Sequence, residues 1–353
     1  MIRLGALGDV VRTLPAVSAL RATYPRAHLA WLVEPASAGM LAGQPWIDET
    51  LVFPRDALVA ALSRGRLAAA GSVLAAFLRE LRLRRFDLVL DFHSILKSGL
   101  LSRASGGRVR VAYAPPFARE GAWLFATRLA RIAPRRISRF DRNLALVRFV
   151  AGDVAPAATP LRVDRAAASD AAAALGEDAP IAIHPGTSPG TPHKRWTAEG
   201  YARVASALLR EEGVSSLVTF GPDPEERRFA ATVVDASQGA ARLAPETKSL
   251  AALAGLLARC RLYVGGDTGP LHIASLVGTP VVQILGPTDP IENAPWSGTP
   301  ARSVRVPVAC SPCRRGCAAA TCMRVVPASA VIAAARELLA ARASHPAAFR
   351  RAP

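Results

Sequence analysis

The 353-residue chain predicts two open α/β domains, each a parallel sheet wrapped by helices. Short apolar runs alternate with helical patterns from the first residues onward, which is the pattern of strands joined by crossover helices. Composition then shifts between Val154 and Pro180, where a Pro-punctuated, Ala/Asp-rich stretch interrupts the series before a second one begins. The length exceeds one ordinary core and suits two. The boundaries read as a first domain over 1–160, a linker over 161–179, a second domain over 180–327, and a C-terminal helix with a basic tail over 328–353.

In the first domain the apolar runs place strands at 28–33, 50–53, 87–91 and 108–113. Helical patterns lie near 9–23, 58–83 and 95–103, and Pro15 kinks the first or delays its start. In the second domain strands fall at 181–184, 217–220, 261–264 and 281–285, with helices at 198–212, 224–235 and 250–258 and a last one at 329–342. Ligands of such folds bind at the carboxyl edges of the strands. The chemistry is therefore sought in the loops that follow them.

The most informative loop is Gly265-Gly266-Asp267-Thr268-Gly269, a strand end that turns on glycine into a helix, with His272 one turn later. Such a turn aims backbone N–H groups and the positive end of a helix at one point, where a phosphate can rest. A second loop runs from His184 through Thr187 and Ser188 to Lys194-Arg195-Trp196. Its hydroxyls and lysine suit phosphate oxygens, although the Walker spacing is absent. After the strand ending at Phe220, Glu225 and Glu226 open a helix. They either favour the helix dipole or accept hydrogen bonds from ribose hydroxyls. Near the start, Asp9 follows Gly5 and Gly8 and is either a helix N-cap or a carboxylate that takes a proton from a substrate hydroxyl. Asp91 and His93 read as a catalytic pair or as a hydrogen-bonded histidine, with Lys97 and Ser98 following.

Four of the five cysteines, Cys310, Cys313, Cys317 and Cys322, fall in one stretch. They are either a structural zinc site or reduced thiols in a folded loop. The charge of +17 is either arginine spread over a solvated surface or a basic face for acidic partners. No apolar leader follows Met1, and no apolar run reaches the ~20 residues of a membrane span. The run 67–78 is read as a buried helix, with an interfacial helix as the other reading. The expectation is a cytoplasmic protein, peripheral to a membrane.

Together these segments resemble glycosyltransferase family 9, the ADP-heptose:lipopolysaccharide heptosyltransferases. The resemblance is carried by Leu4-Gly5-Ala6-Leu7-Gly8-Asp9-Val10-Val11-Arg12-Thr13-Leu14-Pro15, Leu96-Lys97-Ser98, Ala118-Arg119-Glu120, Lys194-Arg195-Trp196 and Gly266-Asp267-Thr268-Gly269-Pro270-Leu271-His272. They occur in the family's order over nearly the whole chain, and the short segments 96–98 and 118–120 look like the type I enzymes. The resemblance implies a GT-B fold, with acceptor binding in the first half and donor binding in the second. It implies Asp9 as general base and Lys194 as the cation on the donor diphosphate. Thr187, Ser188, Asp267, Thr268, Gly269 and His272 would surround the donor, Glu225 or Glu226 would hold the ribose, and Lys248 would lie near the adenine. Lys97, Arg119 and Arg142 would bind the acceptor.

The implied reaction is metal-independent and inverting, with no cofactor and with domain closure assembling the site. The implied donor is ADP-heptose. The implied acceptor is Kdo-lipid A or a partial lipopolysaccharide core at the cytoplasmic face of the inner membrane. Arg103, Arg108, Arg110, Arg119, Arg135, Arg136 and Arg139 would face that acidic, membrane-held acceptor. Two other classes stay open: a nucleotide-sugar epimerase, and a basic nucleic-acid-binding protein. The second is disfavoured by 6% aromatic residues and no nucleic-acid motif.

Overall fold

The structure, a computed structural model, describes residues 1–313 and 316–344. The chain divides into two compact units, Met1–Pro160 and Leu161–Pro353. Strands are numbered in chain order: β1 Ala30–Val33, β2 Glu49–Val52, β3 Leu88–Asp91, β4 Val109–Tyr113 and β5 Arg128–Ala130 in the first unit. The second unit holds β6 Ile181–His184, β7 Ser216–Val218, β8 Ala241–Leu243, β9 Leu262–Gly266, β10 Val281–Leu285 and β11 Ala301–Arg305. Every strand pair is parallel.

The second unit is one six-stranded sheet in the order β11-β10-β9-β6-β7-β8. Its first strand in sequence, β6, lies beside its fourth, β9. The order therefore reverses between them, as in a doubly wound nucleotide-binding sheet. The first unit reaches the same order by another route. Ile2 bridges both Leu32 of β1 and Asp91 of β3. Its flanking backbone is tied in by Ile2 N–H to Leu90 O at 2.8 Å and Leu32 N–H to Met1 O at 2.9 Å. The short first run thus acts as the central strand joining β1-β2 to β3-β4-β5, and the order reverses between it and β3.

Alternation along the strands builds the core. Leu90 packs with Leu20, Phe92, Val111 and Leu146 on one face, while its neighbour Val89 packs with Ile2, Leu32, Phe53 and Leu101 on the other. In the second unit Ile181, Ile183, Val264, Val282 and Ile284 are buried under helices that include Ala198–Glu212 and Ala328–Ser344. Full burial of each such side chain contributes about 1.5–3 kcal/mol.

Several expectations need correction. The stretch 161–179, read as a linker, holds the helix Arg165–Leu175, capped by Asp164 Oδ1 accepting from Ala167 N at 2.7 Å. It packs on the helix Leu250–Arg259 so closely that a Cβ on Gly255 would overlap the Ala167 carbonyl oxygen. The pattern over 9–23 is two helices, Leu7–Val11 and Leu14–Thr23, because Pro15 starts the second. That over 58–83 is also two, Arg55–Ser63 and Leu67–Leu83. The second of these buries only Ala70 and Leu81, so the buried-helix reading of 67–78 fails. The tail beyond Ser344 lies outside the described residues.

Candidate active site

In each unit several of the candidate side chains lie on loops next to the point where the strand order reverses. In the first unit the loop after the Ile2 strand carries Asp9, and the loop after β3 carries His93. Asp9 does not cap its helix. Ala6 holds the N-cap position, and Asp9 lies in the first turn. Its carboxylate meets three guanidinium groups instead. Arg3 Nη2 is 2.5 Å from Oδ2, while Arg139 Nη1 at 3.0 Å and Arg12 Nη1 at 3.3 Å share Oδ1. Burial pushes the Asp9 pKa up, but Arg3, Arg139 and Arg12 together outweigh it and hold the carboxyl well below the ordinary range. Arg3 and Arg12 are themselves buried. Arg3 is fixed by donating to the Phe92 carbonyl at 2.6 Å.

Asp91 and His93 are not a side-chain pair. Asp91 Oδ1 accepts from the backbone N–H groups of His93 and Ser94, both at 2.9 Å, and Oδ2 accepts from Ser98 Oγ at 2.8 Å. The carboxylate is a brace for the loop, and burial pushes it up to about 6 against those hydrogen bonds. Burial, then the field of Arg3, lowers His93 to about 4, with Arg119 and Lys97 adding to the effect and Asp9 opposing it. His93 is therefore neutral at physiological pH, and its buried Nδ1 has no hydrogen-bond partner among the described residues.

The other expected acceptor residues are scattered in role. Lys97 is paired with Glu34 at 2.6 Å, 4.1 Å over the Phe53 ring. Arg142 stacks over Tyr113 and Phe117. Arg119 is exposed, and its backbone N–H donates to Ser94 O. Arg110 is occupied by the carbonyls of Phe125 and Gly107, so it holds its own loop and does not present a charge outward.

In the second unit, the loops after β6 and β9 carry Thr187, Ser188, Lys194, Asp267 and Thr268, while Glu225 and Glu226 follow β7 and Lys248 follows β8. A Cβ on Gly265 would come within 2.9 Å of the His184 carbonyl oxygen, and one on Gly266 would stand 3.4 Å from the Lys194 carbonyl oxygen. The glycines let the lysine loop lie against the end of β9. Trp196 anchors that loop, donating from Nε1 to Val326 O at 3.2 Å and packing edge-on against Tyr201. Lys194 Nζ then reaches Asp267 Oδ2 at 3.2 Å, and Asp267 Oδ1 lies 3.3 Å from His272 Nε2. Asp267 is thus a bridge between the lysine and the helix Gly269–Leu276, and Thr268 is that helix's N-cap. Thr187 is buried and its hydroxyl has no hydrogen-bond partner among the described residues, and Ser188 is exposed beside it.

The geometry separates the two adjacent glutamates. Glu226 Oε2 accepts from Gly221 N at 2.8 Å and lies against both Gly221 and Gly186, at the ends of β7 and β6. Glu225 turns outward to Arg195 at 3.0 Å. Burial raises the Glu226 pKa. Lys248 is exposed on the loop before the helix Leu250–Arg259. Among the described residues no disulfide joins the cysteines. Among the described residues no group of three or more Cys, His, Asp or Glu could hold a metal ion.

Two partners of Asp9 escaped the sequence reading. Arg12 is three residues on along the chain, a helical-neighbour signal that was available. Arg3 lies on the strand before the glycine turn, where nothing marks it. Arg139, 130 residues away, was read only as part of the basic face.

Residues 74–323 match glycosyltransferase family 9 (heptosyltransferase). The chain is 24% identical over 298 residues to the lipopolysaccharide core heptosyltransferase OpsX of Haemophilus influenzae, covering 84% of this chain and 81% of that protein. It is 26% identical over 307 residues to lipopolysaccharide heptosyltransferase 3 of Escherichia coli, covering 82% and 83% respectively. The Escherichia coli heptosyltransferase WaaC with ADP superposes at a TM-score of 0.75 and 23% identity, over 96% of this chain and 98% of that one. The shared fold agrees with the GT-B architecture expected from the sequence. Since the matched segment 74–323 is well over half of the chain, the protein belongs to glycosyltransferase family 9 and is a glycosyltransferase.

Proposed function

We propose that this enzyme transfers a heptose from ADP-heptose to the Kdo-bearing inner core of lipopolysaccharide, with inversion and without a metal. The observation that carries the reading is Lys194, whose ammonium is held by Asp267 at the glycine turn after β9. A sugar nucleotide seated there puts its diphosphate beside that ammonium and the N-terminus of the helix Gly269–Leu276. Thr187, Ser188 and Thr268 add hydroxyl donors, Glu226 accepts from the ribose and Lys248 lies toward the base. Glu226 is preferred to Glu225 because it lies among the strand-end glycines and Glu225 does not.

The acceptor hydroxyl attacks the anomeric carbon on the face opposite ADP. One C–O bond forms, the bond to the diphosphate breaks, the hydroxyl proton passes to Asp9, and Lys194 takes up the charge that ADP gains. A carboxylate held by three guanidinium groups is a weak base. An acceptor bearing its own carboxylate or phosphate competes for Arg139, the most exposed of the three, and raises the basicity of Asp9 as it binds. The chemistry thus favours an acidic acceptor.

Purified protein given ADP-heptose should release ADP only when Kdo-lipid A or a truncated core is added. Donor consumption without acceptor would instead mean an epimerase or a hydrolase. Within that assay, Glu226→Gln should raise the donor KM about tenfold to a hundredfold, the worth of a hydrogen bond to a charged group. Glu225→Gln should leave it nearly unchanged. Equal effects of the two would remove Glu226 from the ribose.

A further inference from the structure

The helical hairpin Arg55–Ser63 and Leu67–Leu83 shows its apolar residues to solvent. The first helix buries nothing and the second only Ala70 and Leu81. One seam, Leu58, Phe77 and Leu78, packs against the core around Leu32 and Phe53. Much of the remaining surface is apolar: Val59, Leu62, Leu67, Leu74 and Leu83 are 55%, 53%, 71%, 37% and 70% exposed. From Leu67 to Leu78 there is no charged residue at all, and every residue from Leu62 to Ala69 is exposed. Arginines flank this surface. Arg64 and Arg66 stand at the turn, with Arg79, Arg82 and Arg85 toward the end of the second helix. Across the hairpin the only acids are Asp56 and Glu80.

We propose that this hairpin is a docking surface for an anionic lipid bilayer, with Leu62, Leu67 and Leu74 entering the interface and Arg64 and Arg66 meeting the headgroup phosphates. An apolar helical face edged by arginine is what such a surface binds. No helix among the described residues is long and apolar enough to cross a membrane, so the hairpin would lie on the bilayer. A second copy of the chain fits less well, because two arginine-edged faces would repel. Nucleic acid fits less well too, because the exposed side chains are Leu, Val and Ala, which offer no stacking platform. The proposal rests on the hairpin alone, and its test reads binding, so it stands or falls separately from the transfer reaction.

The test is co-sedimentation of the full chain with phosphatidylcholine vesicles, with and without phosphatidylglycerol. Wild type should pellet with the anionic vesicles, and more weakly as salt rises. The double variant Leu67→Glu, Leu74→Glu should stay in solution. Arg64→Ala and Arg66→Ala should each weaken binding about fivefold. All four positions are solvent-facing, so unchanged thermal unfolding should show that the variants fold. Failure of wild type to bind, or equal binding by the Leu67→Glu, Leu74→Glu variant, would overturn the proposal. So would a stable wild-type dimer that the same variant dissolves, which would assign the face to a second copy.

Discussion

Asp9→Asn should lower turnover by about 10²- to 10⁴-fold, the contribution expected of a general base, while ADP-heptose binding is retained. Asparagine keeps the shape and one acceptor oxygen but cannot hold the proton. It also leaves Arg3 and Arg12, both buried, without the carboxylate that neutralises them. Losing one partner of a buried ion pair costs about 3–5 kcal/mol, so unfolding must be followed beside activity. Donor titration by calorimetry separates the two effects: a folded variant that binds donor and does not turn over supports the base. Unchanged turnover would remove Asp9 from the chemistry.

The pH dependence has a definite sign. Because the folded-state pKa of Asp9 is depressed, its ion pairs contribute stability that is complete above the unfolded value of about 3.9. That contribution is lost as pH falls through the folded value. The free enzyme should therefore show no acid limb from Asp9 in kcat/KM across the mildly acidic range. Arg139→Ala removes one of the three cations and should move that limb upward toward the ordinary carboxylate pKa. A limb at the same pH in both proteins would show that another group titrates.

How far the chain discloses its fold depends on burial. Strands β6 and β10 were legible to the residue because they are buried along their whole length, and parallel central strands read as nearly continuous apolar runs, broken here only by His184 and Gln283. The edge strands β5, β8 and β11 were invisible. Their sequences, Arg128-Leu129-Ala130, Ala241-Arg242-Leu243 and Ala301-Arg302-Ser303-Val304-Arg305, put arginine into the strand because an edge tolerates it. The helix Arg165–Leu175 was mistaken for a linker because alanine marks both, although Asp164 was a usable start signal. The hairpin helix Leu67–Leu83 misled for the opposite reason: composition says that a surface is apolar, not what covers it.

The candidate site divides along the same line. Loops following buried strands announce themselves by glycine, so Asp9, Lys194, Asp267 and His272 could be picked out one by one. Their pairing could not. The Arg139–Asp9 contact spans 130 residues, and Lys194–Asp267 spans 73, distances over which no local pattern survives. The two adjacent glutamates differ by about 100° of helix rotation, and the sequence does not say which of them turns toward Gly221 and which toward Arg195.

Lys194→Ala should weaken donor binding and lower kcat together, the latter by about 10²- to 10³-fold, as when one preorganised donor to a developing anion is removed. Asp267 has a side chain only 5% exposed and takes one of the three ammonium N–H groups at 3.2 Å, which leaves two to donate to phosphate oxygens. The lysine is therefore positioned before the donor arrives, and little side-chain entropy is lost on binding. In the proposed transfer, negative charge would collect on the diphosphate in the transition state. The interaction accordingly strengthens as the bond breaks and should affect kcat as well as KM. Lys194→Arg keeps the charge but replaces a compact ammonium by a longer planar fork that would meet the Asp267 carboxylate in a different geometry, and should recover donor binding better than turnover. Asp267→Asn releases the lysine without removing it and should lower kcat with a smaller change in donor affinity. If ADP-heptose binds Lys194→Ala as tightly as wild type, the cation does not meet the diphosphate and the leaving group must be stabilised elsewhere.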